Sequence, residues 1–413
     1  MSSEFQIERL GAQGDGVAAA ERGPVYVPFT LPGERVTAAR SGDRADLLCV
    51  LEPSPLRIEP ACRHFGECGG CALQHMEEGA YREWKRDRVV EALRSRRIAA
   101  KVGPLVPCAP GTRRRVTLSA RRTEAGMLLG YNRALSHTIV DIGECPIARP
   151  EIVAALEPLR QLAKIMCNTD KAFRLTVTTT ASGLDVSVHD SGRLSEKARK
   201  KASDLMLTAG FARLSLEGEV VIEPREPVVL FGEVAVSPPP GGFLQAVAAA
   251  EAAMASLVTS HLAGAKRVWD LFAGSGAFAL RLARNSEVHA VESNAPSLAA
   301  LDKGFRFAAG LKQVRTERRD LFVRPLLAKD LDACGGIVFD PPRAGAEAQS
   351  KQIAKSGVPL IAAVSCNPAT LARDLAILIE GGYALERVVP IDQFLWSPHV
   401  EAVALLTKKK RRR

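Results

Sequence analysis

The chain has 413 residues, too many for one ordinary domain, and 46% of them are hydrophobic, which excludes a wholly disordered chain. The opening stretch MSSEFQIERLGAQGDG lacks a basic segment followed by an apolar run, and no uncharged apolar stretch reaches spanning length, so a cytoplasmic protein with no membrane partner is expected. The net charge is +10, with six cationic residues in the tail Lys408–Arg413 and more in Arg82–Arg122, including Arg113, Arg114 and Arg115; this points to a polyanionic partner.

Residues 1–58 read as a small β domain. Strand-like runs Phe5–Ile7, Pro24–Pro28 and Arg35–Ala38 alternate with Gly-, Pro- and Asp-rich turns. The phrase GAQGDGVAAAERGPVYVPFTLPGERV resembles a TRAM module, an OB-like β-barrel found on RNA-modifying enzymes, which implies an RNA-binding domain here. Residues 59–240 form a central α+β domain, with strand patterns Phe173–Thr180 and Leu184–His189. It opens on ACRHFGECGGCALQHM, which spaces Cys62, Cys68 and Cys71 as Cys-x5-Cys-x2-Cys, and Cys145 in GECPIA is a fourth candidate. In a chain of this type such a group is a metal site before it is a disulfide framework. Four thiolates suit either a structural zinc or an iron–sulfur cluster.

SPPPGG at Ser237–Gly242 marks a linker, and residues 241–413 change to alternating strand and helix. Strands are expected at Arg267–Leu271, Glu287–Glu292, Gly336–Asp340 and Pro359–Ser365, giving a doubly wound α/β sheet. The first runs into Phe272, Gly274, Gly276 and a helix, a backbone cradle for a nucleotide-like ligand. Glu292 ends the next strand, where an acidic side chain takes ribose hydroxyls, and Asp320 and Asp340 follow. This ordered set resembles the class I methyltransferases, which implies S-adenosyl-L-methionine as cofactor; a dehydrogenase, the competing reading, lacks the Asp-Pro-Pro segment.

In AVSCNPATLARDL, Cys366 sits past a strand and before a helix that Pro368 starts, a position expected to favour a thiolate. FDPPRAG, SCNPATLARDL and HVEAVALL are similar to the motifs of the RNA uracil-5-methyltransferases, which act on tRNA and large-subunit ribosomal RNA. The resemblance implies Cys366 as nucleophile, Glu401 as base and Gln245 as a cofactor contact. Its ribosomal RNA branch carries a 4Fe–4S cluster on this cysteine pattern, which implies the same on Cys62, Cys68, Cys71 and Cys145. The expected partner is RNA, 23S rRNA before tRNA, and the expected state a monomer. Two positions depart from the pattern: Ala273 replaces the usual cysteine of the glycine loop, and Val247 replaces the asparagine after Gln245. Phe243 is a candidate for stacking on a base.

Two rival functions are weaker. An exocyclic-amine methyltransferase favours an aromatic residue after Asp-Pro-Pro, where this chain has Arg343, and needs no Cys366. A non-catalytic RNA-binding protein predicts loss of the nucleophile or base, and both are present.

Overall fold

The computed structural model describes residues 2–21 and 23–408. The strands Ser2–Gln6, Arg9–Leu10, Gly16–Ala18, Val25–Val27, Arg35–Ser41 and Arg44–Glu52 form one sheet. Its two outermost strands, Ser2–Gln6 and Arg9–Leu10, are consecutive in the chain. Between them Ile7 N donates to Glu34 O and Glu8 N to Val17 O, both at 2.9 Å. One bent segment thus pairs on both sides, and the sheet curls around Phe5, Ile7, Val25, Val27 and Val36.

The second sheet runs Glu219–Ile222, Arg213–Leu216, Gly183–His189, Phe173–Thr180, Arg115–Thr123, Gly126–Asn132, Ile139–Asp141. Helices Leu156–Met166 and Glu196–Thr208 pack on it through Leu159, Leu162, Met166 and Met206, against Leu118, Leu175 and Val186. Period-3.6 spacing in the helices and alternation in the strands bring these side chains to one seam.

The third sheet has the order Val314–Arg318, Glu287–Glu292, Arg267–Leu271, Gly336–Phe339, Leu360–Ser365, Glu401–Thr407, Ala384–Ile391. The first five strands are parallel and Glu401–Thr407 runs antiparallel to both its neighbours. Parallel strands covered on both faces need continuous apolar runs. Ile337, Val338 and Phe339, and Ile361 through Val364, are buried accordingly. One face packs on helix Pro368–Glu380 through Leu371 and Leu375, the other on helix Ala248–His261 through Met254 and Val258. This is the doubly wound α/β architecture that the alternating pattern predicts. The strand order reverses between Arg267–Leu271 and Gly336–Phe339, which opens a crevice at their C-terminal ends.

Helix Glu78–Ser95 joins this third layer: its Val89 and Leu93 enter the same core as Leu371 and Val388. Val102 and Val106 then bridge in parallel to Val388 and Ile391, along the edge strand Ala384–Ile391. Among the described residues no helix is long and apolar enough to cross a membrane.

Candidate active site

The crevice is a cavity of about 850 Å³ lined by Gln245, Phe272, Glu292, Asp320, Asp340, Cys366 and Glu401, among others. The topology thus brings all the non-cysteine candidates, and Cys366, to one place from segments more than a hundred residues apart.

One half of the cavity is the glycine loop. Phe272 adopts φ +62°, rare for a residue with a side chain, and Gly274 and Gly276 have φ +54° and +97°. Gly274 has open space where a Cβ would stand, so its backbone is bare towards the cavity. Glu292 braces the loop: one carboxylate oxygen accepts from Gly274 N at 3.0 Å, the other from Asn294 N at 2.7 Å. Asp320 Oδ1 accepts from Phe322 N at 2.9 Å, and the rings of Phe272 and Phe322 lie 5.5 Å apart. Phe243 lines the cavity and is 69% exposed. The departures Ala273 and Val247 are both buried in the core beneath the loop, where apolar side chains pack.

The other half is a chain of amides between the half-buried carboxylate of Asp340 and the buried one of Glu401. Gln245 Nε2 donates to Asp340 Oδ2 at 2.9 Å. Gln393 Nε2 donates to Gln245 Oε1 at 2.7 Å and to Glu401 Oε1 at 3.0 Å, and Gln393 Oε1 accepts from Val247 N at 3.4 Å. Burial, then the Asp340 charge, pushes the Glu401 carboxyl up to about 8; burial pushes Asp340 up to about 7. Glu401 Oε2 is buried without a hydrogen-bond partner. Gln393 was not singled out in the sequence; a glutamine in an irregular segment has no local signature.

Cys366 is half-buried just before Asn367, whose side chain caps helix Pro368–Glu380 by accepting from Ala369 N at 3.1 Å. The expectation of a stabilised thiolate is corrected. Burial first, then the Glu401 and Asp340 charges, push the Cys366 thiol up to about 11, against a smaller opposing effect of Arg343. Cys366 precedes the cap residue itself, and the helix field falls off within a turn. Arg343 Nη2 lies 2.6 Å from Nδ1 of His399, whose pKa burial and the Arg343 charge lower to about 4, so the ring is neutral and accepts.

The arginines read from the sequence as a polyanion surface are partly spent inside. Arg114 is buried, with Nη2 2.6 Å from Glu251 and Nε donating to Gln245 O at 3.0 Å, while Arg281 reaches the other oxygen of Glu251 at 2.9 Å. Arg115 donates to Gly241 O at 3.2 Å. Within the tail read as pointing to a polyanionic partner, Lys408 donates to Ala354 O and Ser356 O, each at 2.9 Å; residues 409–413 lie outside the described residues.

Cys62, Cys68, Cys71 and Cys145 line one small cavity with Tyr131 and Ile142, and all four are free thiols. Among the described residues, however, no three ligating side chains stand close enough to hold one metal ion. Neither the zinc nor the iron–sulfur reading of this group is therefore supported by the geometry.

The pattern of the tRNA (uracil-5-)-methyltransferase family matches residues 233–409. An RNA methyltransferase of Mesorhizobium japonicum is 65% identical over 100% of both chains. The 23S rRNA (uracil(1939)-C(5))-methyltransferase of Halomonas elongata is 33% identical, over 98% of this chain and 89% of that one. The chain belongs to the RNA uracil-5-methyltransferase family. As such it is an enzyme. In fold it is similar to the Pyrococcus abyssi tRNA (uracil-54, C5)-methyltransferase, solved with S-adenosyl-L-homocysteine: TM-score 0.77 at 23% identity, over 98% of this chain and 99% of that one.

Proposed function

We propose that this RNA uracil-5-methyltransferase methylates carbon 5 of a uridine in 23S rRNA, with S-adenosylmethionine as methyl donor, Cys366 as nucleophile and Glu401 as base. The observation that carries the reading is that Cys366 and the unpartnered Oε2 of Glu401 line the same cavity as the glycine loop, Glu292 and Asp320. The bare backbone at Gly274, the two carboxylates and the Phe272–Phe322 rings fit a nucleoside with a ribose and an adenine face. When bound, S-adenosylmethionine supplies an electrophilic methyl group on a sulfonium.

Carbon 5 of uracil is too weak a nucleophile to take that methyl unaided. Cys366 Sγ, its proton lost to solvent, bonds to carbon 6, and the ring's π electrons move onto the 4-carbonyl oxygen as an enolate. Carbon 5 then attacks the methyl carbon, and the electrons of the broken carbon–sulfur bond leave with the thioether. Glu401 Oε2 takes the proton from carbon 5; those electrons re-form the 5,6 double bond and expel the Cys366 thiolate. The base must be out of its stack to reach Cys366, and Phe243 at the rim offers it a ring face.

Three further assignments belong to this reading. Residues 1–58 act as a TRAM/OB-like RNA-binding module, supported by the curled sheet around Phe5 and Val27. The four cysteines hold a 4Fe–4S cluster. What supports it is that all four side chains line one small cavity. The Gly70 N–H donates to Cys68 Sγ at 3.4 Å, a contact that suits a cluster thiolate. Third, the target is rRNA, supported by the similarity to the 23S rRNA methyltransferase of Halomonas, and the enzyme acts in the cytoplasm. The second reading, a tRNA uridine, is favoured by the match of residues 233–409 to the tRNA (uracil-5-)-methyltransferase family. Incubation with bulk rRNA and tRNA lacking 5-methyluridine, with labelled methyl donor, then mapping of the modified nucleotide, tests both. Label in 23S rRNA supports the first, label in tRNA the second, and label in neither rejects both.

A further inference from the structure

We propose that Lys85, more than three hundred residues away in sequence, is a positioning residue for Glu401: it locks the segment that carries Gln393 and His399 into the base. The inference rests on Glu401 being the base.

Helix Glu78–Ser95 buries Tyr81, Lys85, Val89 and Leu93, one per turn on a single face. A lysine in that stripe is out of place, and Lys85 is fully buried. Its ammonium has three donors, and all are used: Asp392 Oδ1 at 2.7 Å, Phe394 O at 3.0 Å and His399 O. Asp392 Oδ2 accepts from Tyr81 Oη at 2.7 Å, and Tyr81 Oη accepts from Trp396 N at 2.8 Å. From the other side, Ala72 N and Leu73 N both donate to Trp396 O, at 2.8 and 3.1 Å. The segment from Asp392 to His399 is therefore gripped at four residues, Asp392, Phe394, Trp396 and His399, and it delivers Gln393 at its start and Glu401 just past its end.

A buried ion pair is a poor way to gain stability, since apolar residues of similar volume do as well or better. What it supplies here is geometry. The pair fixes both ends of a segment with no regular structure, and the amide of Gln393 then aims Glu401. The charged and titratable groups facing Lys85 are Asp392, Tyr81, Cys108 and Glu401; those facing Glu401 are Asp340, Cys366, Arg343 and Lys85. Lys85 holds the Glu401 pKa down, so its loss also moves the acid limb of activity to higher pH.

The test uses the full chain, 23S rRNA lacking 5-methyluridine and methyl-labelled donor. Lys85→Met, Lys85→Met/Asp392→Asn, which leaves no unpaired charge, and Glu401→Gln are compared with the parent. A mislaid base slows only the last step. At saturating donor, both Lys85 variants should lose about 10- to 100-fold in kcat, keep RNA KM, and accumulate a methylated protein–RNA adduct that survives denaturation. Lys85→Met should also show its acid limb at higher pH. Parent-like kcat in a folded variant overturns the inference, as does a uniform loss of active enzyme without adduct. If Glu401→Gln itself builds no adduct, the base assignment has failed and this inference fails with it. If it does and the Lys85 variants do not, only this inference falls.

Discussion

Gln393 Nε2 stands 3.0 Å from Glu401 Oε1 while its second hydrogen points to Gln245 Oε1 at 2.7 Å, so one amide orients both the proposed base and a contact of the proposed donor. Gln393→Leu should leave both acceptors buried without their donor. The expected loss is about tenfold or more in kcat, equivalent to about 1.4 kcal/mol, with weaker donor binding through Gln245. Steady-state kinetics with a donor titration checks it; unchanged values would mean that packing alone holds Glu401.

Burial of Glu401 has a consequence for stability that is independent of catalysis. Its folded pKa, about 8, lies above the ordinary 4.5, so the folded state holds a proton that the unfolded state has released across that window. Its contribution is fully present below pH 4.5 and is lost as pH rises to about 8. Glu401→Gln, which keeps an acceptor for Gln393, should therefore match the parent near pH 4 and be more stable at pH 8, by on the order of a few kcal/mol. Thermal melts of both proteins across that range decide it, and a gap that fails to grow with pH contradicts the buried, protonated carboxyl.

Most of the C-terminal layer was legible in the sequence, because parallel strands announce themselves as short apolar runs. The expected Arg267–Leu271 and Glu287–Glu292 match the observed strands, and Gly336–Asp340 and Pro359–Ser365 differ from theirs by one residue. Val314–Arg318 and Ala384–Ile391 were not anticipated; each lies at an edge of its sheet and carries charges such as Arg315 and Glu386. The motif-bearing Cys366 and Glu401 could be named in advance because their neighbours are distinctive. Lys85, Gln393 and Asp392 could not, since their roles come from contacts across the whole chain. Arg114 was misread for the same reason: charge in sequence does not say whether a side chain meets solvent or a buried glutamate.

Arg114 makes a second structural prediction. It pairs with Glu251 at 2.6 Å and holds the carbonyl of Gln245. Arg114→Met should destabilise the fold by about 3 kcal/mol, because one partner of a buried network is removed while Arg281 remains to hold Glu251. Denaturant unfolding measures this, and the same variant should bind donor more weakly through a displaced Gln245. A loss below about 0.5 kcal/mol, the range of ordinary surface changes, would show that the pair carries no such weight.

The cysteine group makes a compositional prediction. Protein purified without oxygen should contain iron and inorganic sulfide, and Cys71→Ser should remove both and lower the melting temperature, because ligand binding contributes to folding. Elemental analysis with sulfide assay is sufficient. Stoichiometric zinc without sulfide would reject the cluster.

The most direct test is a single turnover with labelled methyl donor, followed by denaturing electrophoresis of the parent, Cys366→Ala and Glu401→Gln. In the proposed order, addition of Cys366 and methyl transfer precede the step that needs Glu401. Glu401→Gln should therefore stall as a covalent protein–RNA complex that carries the label, while Cys366→Ala should give neither complex nor 5-methyluridine. A Glu401→Gln enzyme that turns over normally, or a Cys366→Ala enzyme that still makes 5-methyluridine, would contradict the account.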